Sequence, residues 1–317
     1  MRSVLLNLFT VLLAAVSAAS CNRPVYDGFS GYAQGGVYTV KYNRSGVQLS
    51  RNAVRDSVES ILQQIDASVS GYNKSSVLSR FNAGEEISPD AHFSALLSLS
   101  EHYRELTGGA FDVAAGPLFD VWGFGFTADS LPSPERIAEA RELCSQRKVL
   151  NFNAIAQGYT CDVIAAFLDR AGAWDMLVDV GEIYCRGVNA SGKGWSIGID
   201  DPYDGNNTPG ASLKGIWVSD GGSHGVVTSG NYRKFYIRDG KKYAHTIDPR
   251  TGYPVQHDLL SATIIAPSGA EADALATYCM VIGPDEARAF IESDPEIEGC
   301  LITSDSTWYS RGFSAAR

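Results

Sequence analysis

Residues 259–282 read LLSATIIAPSGAEADALATYCMVI and decide the fold class of this chain. The apolar run from Leu260 to Ala266 predicts a buried strand, because a strand covered on both faces needs no alternation of polar residues. Ser268 and Glu271 form a Ser-x-x-Glu capping box. They predict a helix that begins there and ends near residue 282. A buried strand followed at once by a capped helix indicates a sheet with helices packed on it.

Outward from this stretch, the second half of the chain is rich in strands and the first half is mainly helical. Val54, Val58, Ile61, Leu62 and Ile65 share one helical face. No internal repeat, low-complexity segment or Pro/Ser-rich linker divides the sequence. We therefore predict an α+β fold of largely antiparallel sheets with flanking helices, and a single domain over residues 21–317. The further strands predicted in the second half are Met176–Val180, Trp195–Ile199, Ile216–Ser219 and Phe235–Arg238.

The composition excludes several classes of function. The 317 residues are 44% apolar and 20% charged, which is typical of a globular protein and not of a disordered chain. The net charge is −10, so nucleic acid is not an expected partner. The five cysteines after Cys21 are an odd number without a Cys-x-x-Cys pair, and the five histidines are scattered. These patterns argue against a disulfide framework and against a zinc site.

Residues 1–20, MRSVLLNLFTVLLAAVSAAS, have the pattern of a signal peptide. The single charge of Arg2 precedes an apolar core from Val4 to about Ala15, which is too short to span a membrane as a helix. Small residues directly precede Cys21, as in a bacterial lipoprotein cleavage site. We expect cleavage before Cys21 and lipidation of this cysteine. The protein would then be anchored to a membrane of the bacterial cell envelope, with its domain facing the periplasm. Plain secretion and an uncleaved anchor are the alternatives.

An all-oxygen pair lies on the helix predicted after Ser268. Asp273 and Thr277 are four residues apart and therefore share one helical face. A carboxylate beside a hydroxyl suits Mg²⁺ better than zinc, and Mg²⁺ would keep several waters and bind phosphate oxygens. The alternative is that Asp273 is an ordinary acid near a helix N-terminus, where the helix dipole favours it.

The segment HTIDPRTGYPV, residues 245–255, contains a His, an Asp and an Arg within eleven residues, and residues 248–252 predict a tight turn after a strand. His245 is a candidate general base because an imidazole titrates near neutral pH. The alternative is a structural turn that carries a surface histidine.

The segment TGGAFDVAAGPLFDVWGFG, residues 107–125, offers glycine amides and an apolar wall formed by Phe111, Trp122 and Phe124. Such a loop can hold a planar ring while Asp112 bonds a ring or ribose edge. The alternative is an aromatic-rich core loop. The sequence has no Walker A motif, no Gly-x-Gly-x-x-Gly after a strand and no Gly-x-Ser-x-Gly elbow. A nucleotide would therefore not be held in one of the common nucleotide folds.

Six segments occur in one order across residues 31–305. They are SGYNKSSVLSRFN, TGGAFDVAAGPLFDVWGFG, NFNAIAQGYTCD, SGNYRKFY, HTIDPRTGYPV and EADALAT. Together they closely resemble the ApbE family of bacterial FAD:protein FMN transferases. The resemblance implies a mixed α+β fold with a T-fold-like core and two lobes around FAD and Mg²⁺. It also implies an enzyme that splits FAD at its pyrophosphate, moves FMN onto a threonine hydroxyl of an extracytoplasmic protein through a phosphoester bond, and releases AMP.

The resemblance also implies roles for individual residues. The family's metal ligands map onto Asp273, Thr277 and the backbone carbonyl of Ala154. His245 would deprotonate the acceptor threonine. The implied acceptors resemble subunits of sodium-translocating NADH:quinone oxidoreductases or of the related Rnf complex. The family's flavin contacts map onto Gln34, Tyr72, Ala110, Phe111, Asp112, Asn151, Gln157 and His245.

Several positions depart from the family pattern. Gly36 stands where Thr is usual, Gln157 where Lys is usual, and Asn151-Phe152 where Asp-Leu is usual. Gly181 stands alone where two glycines are usual. Because the metal set and His245 are retained, the resemblance still predicts an active enzyme. Two alternatives remain open: an FAD pyrophosphatase that uses water and yields FMN and AMP, and a flavin-binding lipoprotein without catalysis.

Overall fold

The structure is a computed structural model that describes residues 25–125, 131–206, 208–233, 235–238, 240–313 and 315–316. The predicted signal peptide and Cys21 lie outside these residues, so cleavage, lipidation and the domain boundary at residue 21 stay predictions. Within the described ranges, no helix combines the length and the apolar character needed to cross a membrane.

Eight α-helices are described, and side-chain caps explain where several of them begin. Five helices follow a Ser or Asp whose side-chain oxygen accepts the backbone N–H three residues later. These caps are Ser50, Ser76, Asp90, Ser133 and the predicted Ser268. The helices are α1 Arg51–Val69, α2 Val77–Asn82, α3 Ala91–Leu106, α4 Gly116–Val121, α5 Pro134–Ser145, α6 Ala156–Arg170, α7 Gly269–Ile282 and α8 Pro284–Ser293.

The strands are short, and most of them belong to the second half of the chain, as the sequence predicts. They are β1 Tyr26–Ala33, β2 Gly36–Asn43, β3 Met176–Asp179, β4 Ile183–Arg186, β5 Ser196–Asp200, β6 Leu213–Val218, β7 His224–Gly230, β8 Phe235–Arg238, β9 Lys241–Ala244, β10 Ile247–Asp248, β11 Tyr253–Pro254, β12 Leu259–Ala266, β13 Glu298–Thr303, β14 Thr307–Tyr309 and β15 Ala315–Ala316.

These strands form one large sheet and three small ones. The large sheet has the order β1-β2-β3-β4-β7-β12-β13-β14, a second sheet has the order β15-β6-β5, and β8–β9 and β10–β11 are hairpins. Every described strand pairing is antiparallel. The predicted α+β class with largely antiparallel sheets is therefore confirmed.

The stretch at residues 259–282 lies at the centre of the fold. Strand β12 is buried along almost its whole length and pairs with β7 and β13. Helix α7 is buried on most of its surface and packs on β7, β12 and α6. The small residues of α7, mainly alanines, let it lie close to the sheet.

Glycines bring α6, α7 and β7 together at the N-terminus of α7. A Cβ atom on Gly158 would lie 2.1 Å from the carbonyl oxygen of Gly269, and one on Gly225 would lie 2.2 Å from that of Ser268. No side chain fits at either contact, because real Cβ atoms do not approach other heavy atoms so closely. The backbone around the first turn of α7 is thereby fixed against both neighbours.

A smaller apolar cluster lies apart from this main core. Leu118, Trp122, Ile137 and Ile247 form its buried centre, with partly buried aromatic rings around them. It joins α4 and α5 to the hairpins β8–β9 and β10–β11, which flank His245 in the sequence.

Candidate active site

Asp273 lies in the second turn of α7 and is almost fully buried, with 4% of its surface exposed. Its Oδ2 accepts the backbone N–H of Gly158 at 3.1 Å. Gly158 lies in the first turn of α6, where a backbone N–H has no acceptor within its own helix. This bond ties the carboxylate to the segment NFNAIAQGY, which also carries the carbonyl of Ala154. The contact therefore joins Asp273 to the helix that begins two residues after Ala154.

Burial disfavours the ionised form of the acidic side chains in this region. Burial raises the pKa of Asp273 to about 7, although the hydrogen bond from the Gly158 N–H acts to lower it. Burial also raises the pKa of Asp162 to about 6, although its two oxygens accept the N–H groups of Gly269 and Ala270 at 2.7 and 2.8 Å. In the described part of the chain, no lysine or arginine forms an ion pair with Asp273. A buried carboxylate without a paired cation is a suitable ligand for a metal ion.

Glu182 adds a further acid to the same region. Its pKa is raised well above the usual range, first by burial and then by the charge of Asp273. No sequence pattern identified Glu182, because nothing local indicates that its carboxyl group lies close to Asp273. A second buried acid therefore interacts with the predicted metal ligand.

Thr277 lies one turn after Asp273 and is partly buried. The hydroxyl of a helical threonine often donates to the carbonyl four residues earlier. Among the described residues, the Thr277 hydroxyl forms no such bond. Its oxygen, the Asp273 carboxylate and the Ala154 carbonyl are the predicted donors, and an oxygen-only set of this kind would suit Mg²⁺. No cluster of three or more His, Cys, Asp or Glu side chains in the described ranges is arranged to hold a metal. That finding agrees with a set that has one carboxylate.

A cavity of about 340 Å³ opens beside Asn151, one of the predicted flavin contacts. Asn151 lines it together with Gly71, Asn82 and Asp120. Tyr72 follows Gly71 and has 71% of its surface exposed, so its ring is accessible for stacking at the rim. The volume is in the range of small-molecule pockets. The cavity is connected to the Asp273 region by the short segment from residue 151 to residue 158.

Asn82 is the residue of this cavity that sequence reasoning missed. Its side chain donates to the carbonyl of Leu150 and accepts the N–H of the same residue, both at 2.8 Å. The two bonds fix the loop before Asn151 onto α2. Asn82 stands within the quoted segment SGYNKSSVLSRFN, but its partner is 68 residues away.

Gln34 and Gln157 both use their amides inside the protein. At the tip of the β1–β2 hairpin, Gln34 donates to the hydroxyl of Thr160 at 2.8 Å. Gln157 donates to the carbonyl of Val180 at 2.9 Å. Gly181 has a positive φ of +98°, and a Cβ there would lie 2.6 Å from the Gln157 amide nitrogen. The shortened glycine turn is therefore packed directly against the glutamine that replaces the usual lysine.

The Ala110-Phe111-Asp112 segment is more enclosed than the sequence suggests. Ala110 and Phe111 are each 1% exposed, and the Phe111 ring packs against Tyr103 in the main core. Phe111 therefore does not form the outer apolar wall that we expected. Asp112 accepts the N–H of Ala114 at 2.9 Å and pairs with Arg147 at 2.9 Å. No sequence pattern indicated a role for Arg147, because its partner Asp112 is 35 residues away in the chain.

His245 directly follows β9 and is partly buried. The Phe124 ring meets its imidazole edge-on, with 6.3 Å between ring centroids. The next residue, Thr246, donates to the side-chain oxygen of Asn231 at 2.5 Å. Further along the predicted turn, Arg250 forms two bonds to Asp248 at 2.9 and 3.0 Å, which assigns both residues to the turn structure. Strand β10 of this turn packs on α7, the helix that carries Asp273.

Comparison with known proteins identifies extensive similarity. The sequence model of the ApbE family matches residues 35–301. The FAD:protein FMN transferase of Haemophilus influenzae is 30% identical, and the match covers 99% of this chain and 97% of that protein. The corresponding protein of Escherichia coli K12 is 32% identical over 85% of this chain and 84% of its own length.

Solved structures give the same result. The flavin transferase ApbE of Vibrio cholerae superposes with a TM-score of 0.78 at 28% identity, over 92% of this chain and 98% of that one. The flavinyl transferase ApbE of Pseudomonas stutzeri, in its apo form, also has a TM-score of 0.78, at 32% identity, over 91% of this chain and 95% of its own.

Proposed function

Because the chain belongs to the ApbE family and is a flavin transferase, we propose that it transfers FMN from FAD to a threonine hydroxyl of a partner protein, with Mg²⁺ as cofactor and AMP as second product. The single observation that carries the proposal is the buried Asp273 carboxylate, which is bonded to Gly158 and paired with no described cation. An anionic site of this kind favours a divalent cation beside a pyrophosphate.

Asp273, Thr277 and the Ala154 carbonyl would hold Mg²⁺. When bound, the ion would neutralise the crowded charge of the pyrophosphate and the charge that builds on the departing AMP. Three protein oxygens leave several of the six positions of Mg²⁺ to water and substrate oxygens. Burial raises the pKa of Asp273 to about 7 in the absence of a cation, and a bound cation would favour the ionised carboxylate.

His245 acts as the general base in this proposal. Its imidazole takes the proton of the acceptor threonine, whose oxygen then bonds to the phosphorus atom of the FMN half of FAD. The bond between that phosphorus and the oxygen of the AMP phosphate breaks, and AMP leaves with the bonding electrons. The cavity beside Asn151 and Tyr72 would hold the flavin ring during the transfer.

The acceptor and the compartment are proposed from the sequence. The lipoprotein pattern before Cys21 favours anchoring to a membrane of the bacterial cell envelope, with the domain in the periplasm. The acceptor would be a redox protein that resembles a subunit of a sodium-translocating NADH:quinone oxidoreductase or of an Rnf complex.

The proposal is tested by incubating residues 22–317 with FAD, Mg²⁺ and a threonine-containing fragment of such a subunit. We expect flavin fluorescence on the acceptor band of a denaturing gel, and its loss when EDTA is added. An acceptor fragment with the threonine replaced by valine is the matched control and should stay dark. Free FMN and AMP without a labelled acceptor would support the pyrophosphatase instead. Intact FAD that stays on the protein would support a flavin carrier.

A further inference from the structure

Four aromatic rings form a continuous stack between the loop that follows α4 and the β8–β9 hairpin. The ring centroids of Phe124 and Tyr236 are 5.1 Å apart, those of Tyr236 and Tyr243 are 5.3 Å apart, and those of Tyr243 and Trp122 are 5.9 Å apart. The planes differ by only 24°, 18° and 27°. We call these four residues the aromatic stack. Its two outer rings come from the loop and its two inner rings from the hairpin.

The aromatic stack is anchored at the Trp122 end. The indole is 4% exposed, and its Nε1–H donates to the carbonyl of Gly252 at 2.8 Å. The Tyr253 ring meets it at 6.0 Å and 62°. Tyr236 and Tyr243 are directly opposite each other across the hairpin, so the ring pair also fixes the register of β8 and β9. The hairpin therefore has a defined position relative to the loop.

Phe124 is at the other end of the stack, where its ring contacts the candidate base His245. His245 directly follows β9, and its imidazole meets Phe124 edge-on at 66°. Such edge-to-face ring pairs favour particular relative orientations. The loop also touches the cavity: a Cβ on Gly125, the residue after Phe124, would lie 2.0 Å from Oδ1 of the cavity-lining Asp120. Phe124 thus contacts the imidazole, and the residue that follows it lies next to one side chain of the cavity lining.

We propose that Phe124 is a positioning residue, which holds the imidazole of His245 in the orientation that accepts the threonine proton. This inference rests on the proposed function. Trp122, Tyr236 and Tyr243 act by holding Phe124 and the end of β9 in place. A base must reach its proton with its nitrogen correctly aimed, and small displacements reduce the rate strongly. The aromatic stack contributes to this alignment through the edge-on contact between Phe124 and the imidazole.

The test compares Phe124→Leu with the wild-type chain in the acceptor-labelling assay. We expect kcat to fall about tenfold to a hundredfold while the KM for FAD changes less than about twofold, because the flavin contacts stay intact. Phe124→Tyr keeps the ring and should restore most of the rate. Phe29→Leu is the matched control, because Phe29 meets Tyr38 with the same centroid separation of 6.3 Å in a different core cluster. It should lower the melting temperature but leave kcat unchanged.

A double-mutant cycle separates positioning from general stability. In the His245→Ala background, Phe124→Leu should change the remaining rate by less than about twofold, because the group that it positions is already gone. Equal losses in both backgrounds would overturn the proposal. So would a wild-type rate for Phe124→Leu while the wild-type chain labels its acceptor. If the wild-type chain labels no acceptor, the proposed function fails, and the positioning role fails with it.

A second readout needs neither FAD nor acceptor. In proton–carbon NMR spectra, Phe124→Leu should move the Cε1–H signal of His245 more than the corresponding signals of the other four histidines. Phe124→Tyr should leave that signal near its wild-type position. A His245 signal that does not move in Phe124→Leu would overturn the ring contact on which the inference is built.

Discussion

The two regions that would supply catalytic groups are built by different physical means. Around Asp273, backbone meets backbone: glycines of α6, α7 and β7 pack so closely that a single methyl group does not fit. Around His245, side chain meets side chain, and ring contacts hold a hairpin against a loop. The first arrangement leaves no room for an added atom, whereas we expect the second to accept exchange of one ring for another. The proposed metal ligand Asp273 therefore lies on the rigid side, and the proposed base His245 lies on the adjustable side.

The largest expected effect comes from breaking the rigid side. Gly158→Ala places a Cβ 2.1 Å from the carbonyl oxygen of Gly269, so α6 and α7 must separate. We expect the free energy of unfolding to fall by more than about 3 kcal/mol, measured by urea denaturation.

Gly36→Ala is the control for that change, because nothing lies within 4 Å of a Cβ at this position. Its free energy of unfolding should stay within about 0.5 kcal/mol of the wild-type value. Equal stability of the Gly158→Ala and Gly36→Ala variants would refute the close approach of the two helices.

His245→Ala tests the adjustable side through activity instead of stability. We expect acceptor labelling to slow about a hundredfold or more, the usual contribution of a general base. FAD binding and the melting temperature should change little, because the imidazole is only partly buried. Labelling at the wild-type rate would remove His245 from the mechanism.

Trp122→Phe should have a smaller effect than Gly158→Ala or His245→Ala. It keeps an aromatic ring next to Tyr243 but removes the indole N–H that donates to Gly252. Loss of one buried hydrogen bond and a reduced ring should lower the free energy of unfolding by about 1–2 kcal/mol. A loss as large as that of Gly158→Ala in the same urea experiment would erase the contrast between the two regions.

Local signals explain which parts were predictable from the sequence. The buried strand at residues 260–266, the cap at Ser268 and the helix end at Ile282 depend on neighbouring residues, and all three are confirmed. On the predicted helical face, Val54, Val58, Leu62 and Ile65 are buried, whereas Ile61 is only partly buried. Each of these features follows from chain period or capping chemistry alone.

The remainder depends on contacts between residues far apart in the chain. Asn82 bonds Leu150, Arg147 pairs with Asp112, and Gly158 meets Gly269. None of these partners can be identified from its own neighbourhood. Phe111 illustrates the opposite error: an aromatic next to glycines suggested a pocket wall, but the ring belongs to the core. Burial of such a ring is decided by what packs over it, which the local pattern does not contain.

The most direct test of the central claim is the rate of acceptor labelling as a function of Mg²⁺ concentration for the wild-type chain and Asp273→Asn. The asparagine keeps an oxygen that can accept the Gly158 N–H and removes a costly buried charge, so the fold should remain intact. The account predicts saturable Mg²⁺ dependence for the wild-type chain and, for Asp273→Asn, at least about a hundredfold loss of rate that saturating Mg²⁺ does not restore. An Asp273→Asn variant that labels the acceptor at the wild-type rate with the same Mg²⁺ dependence would contradict it.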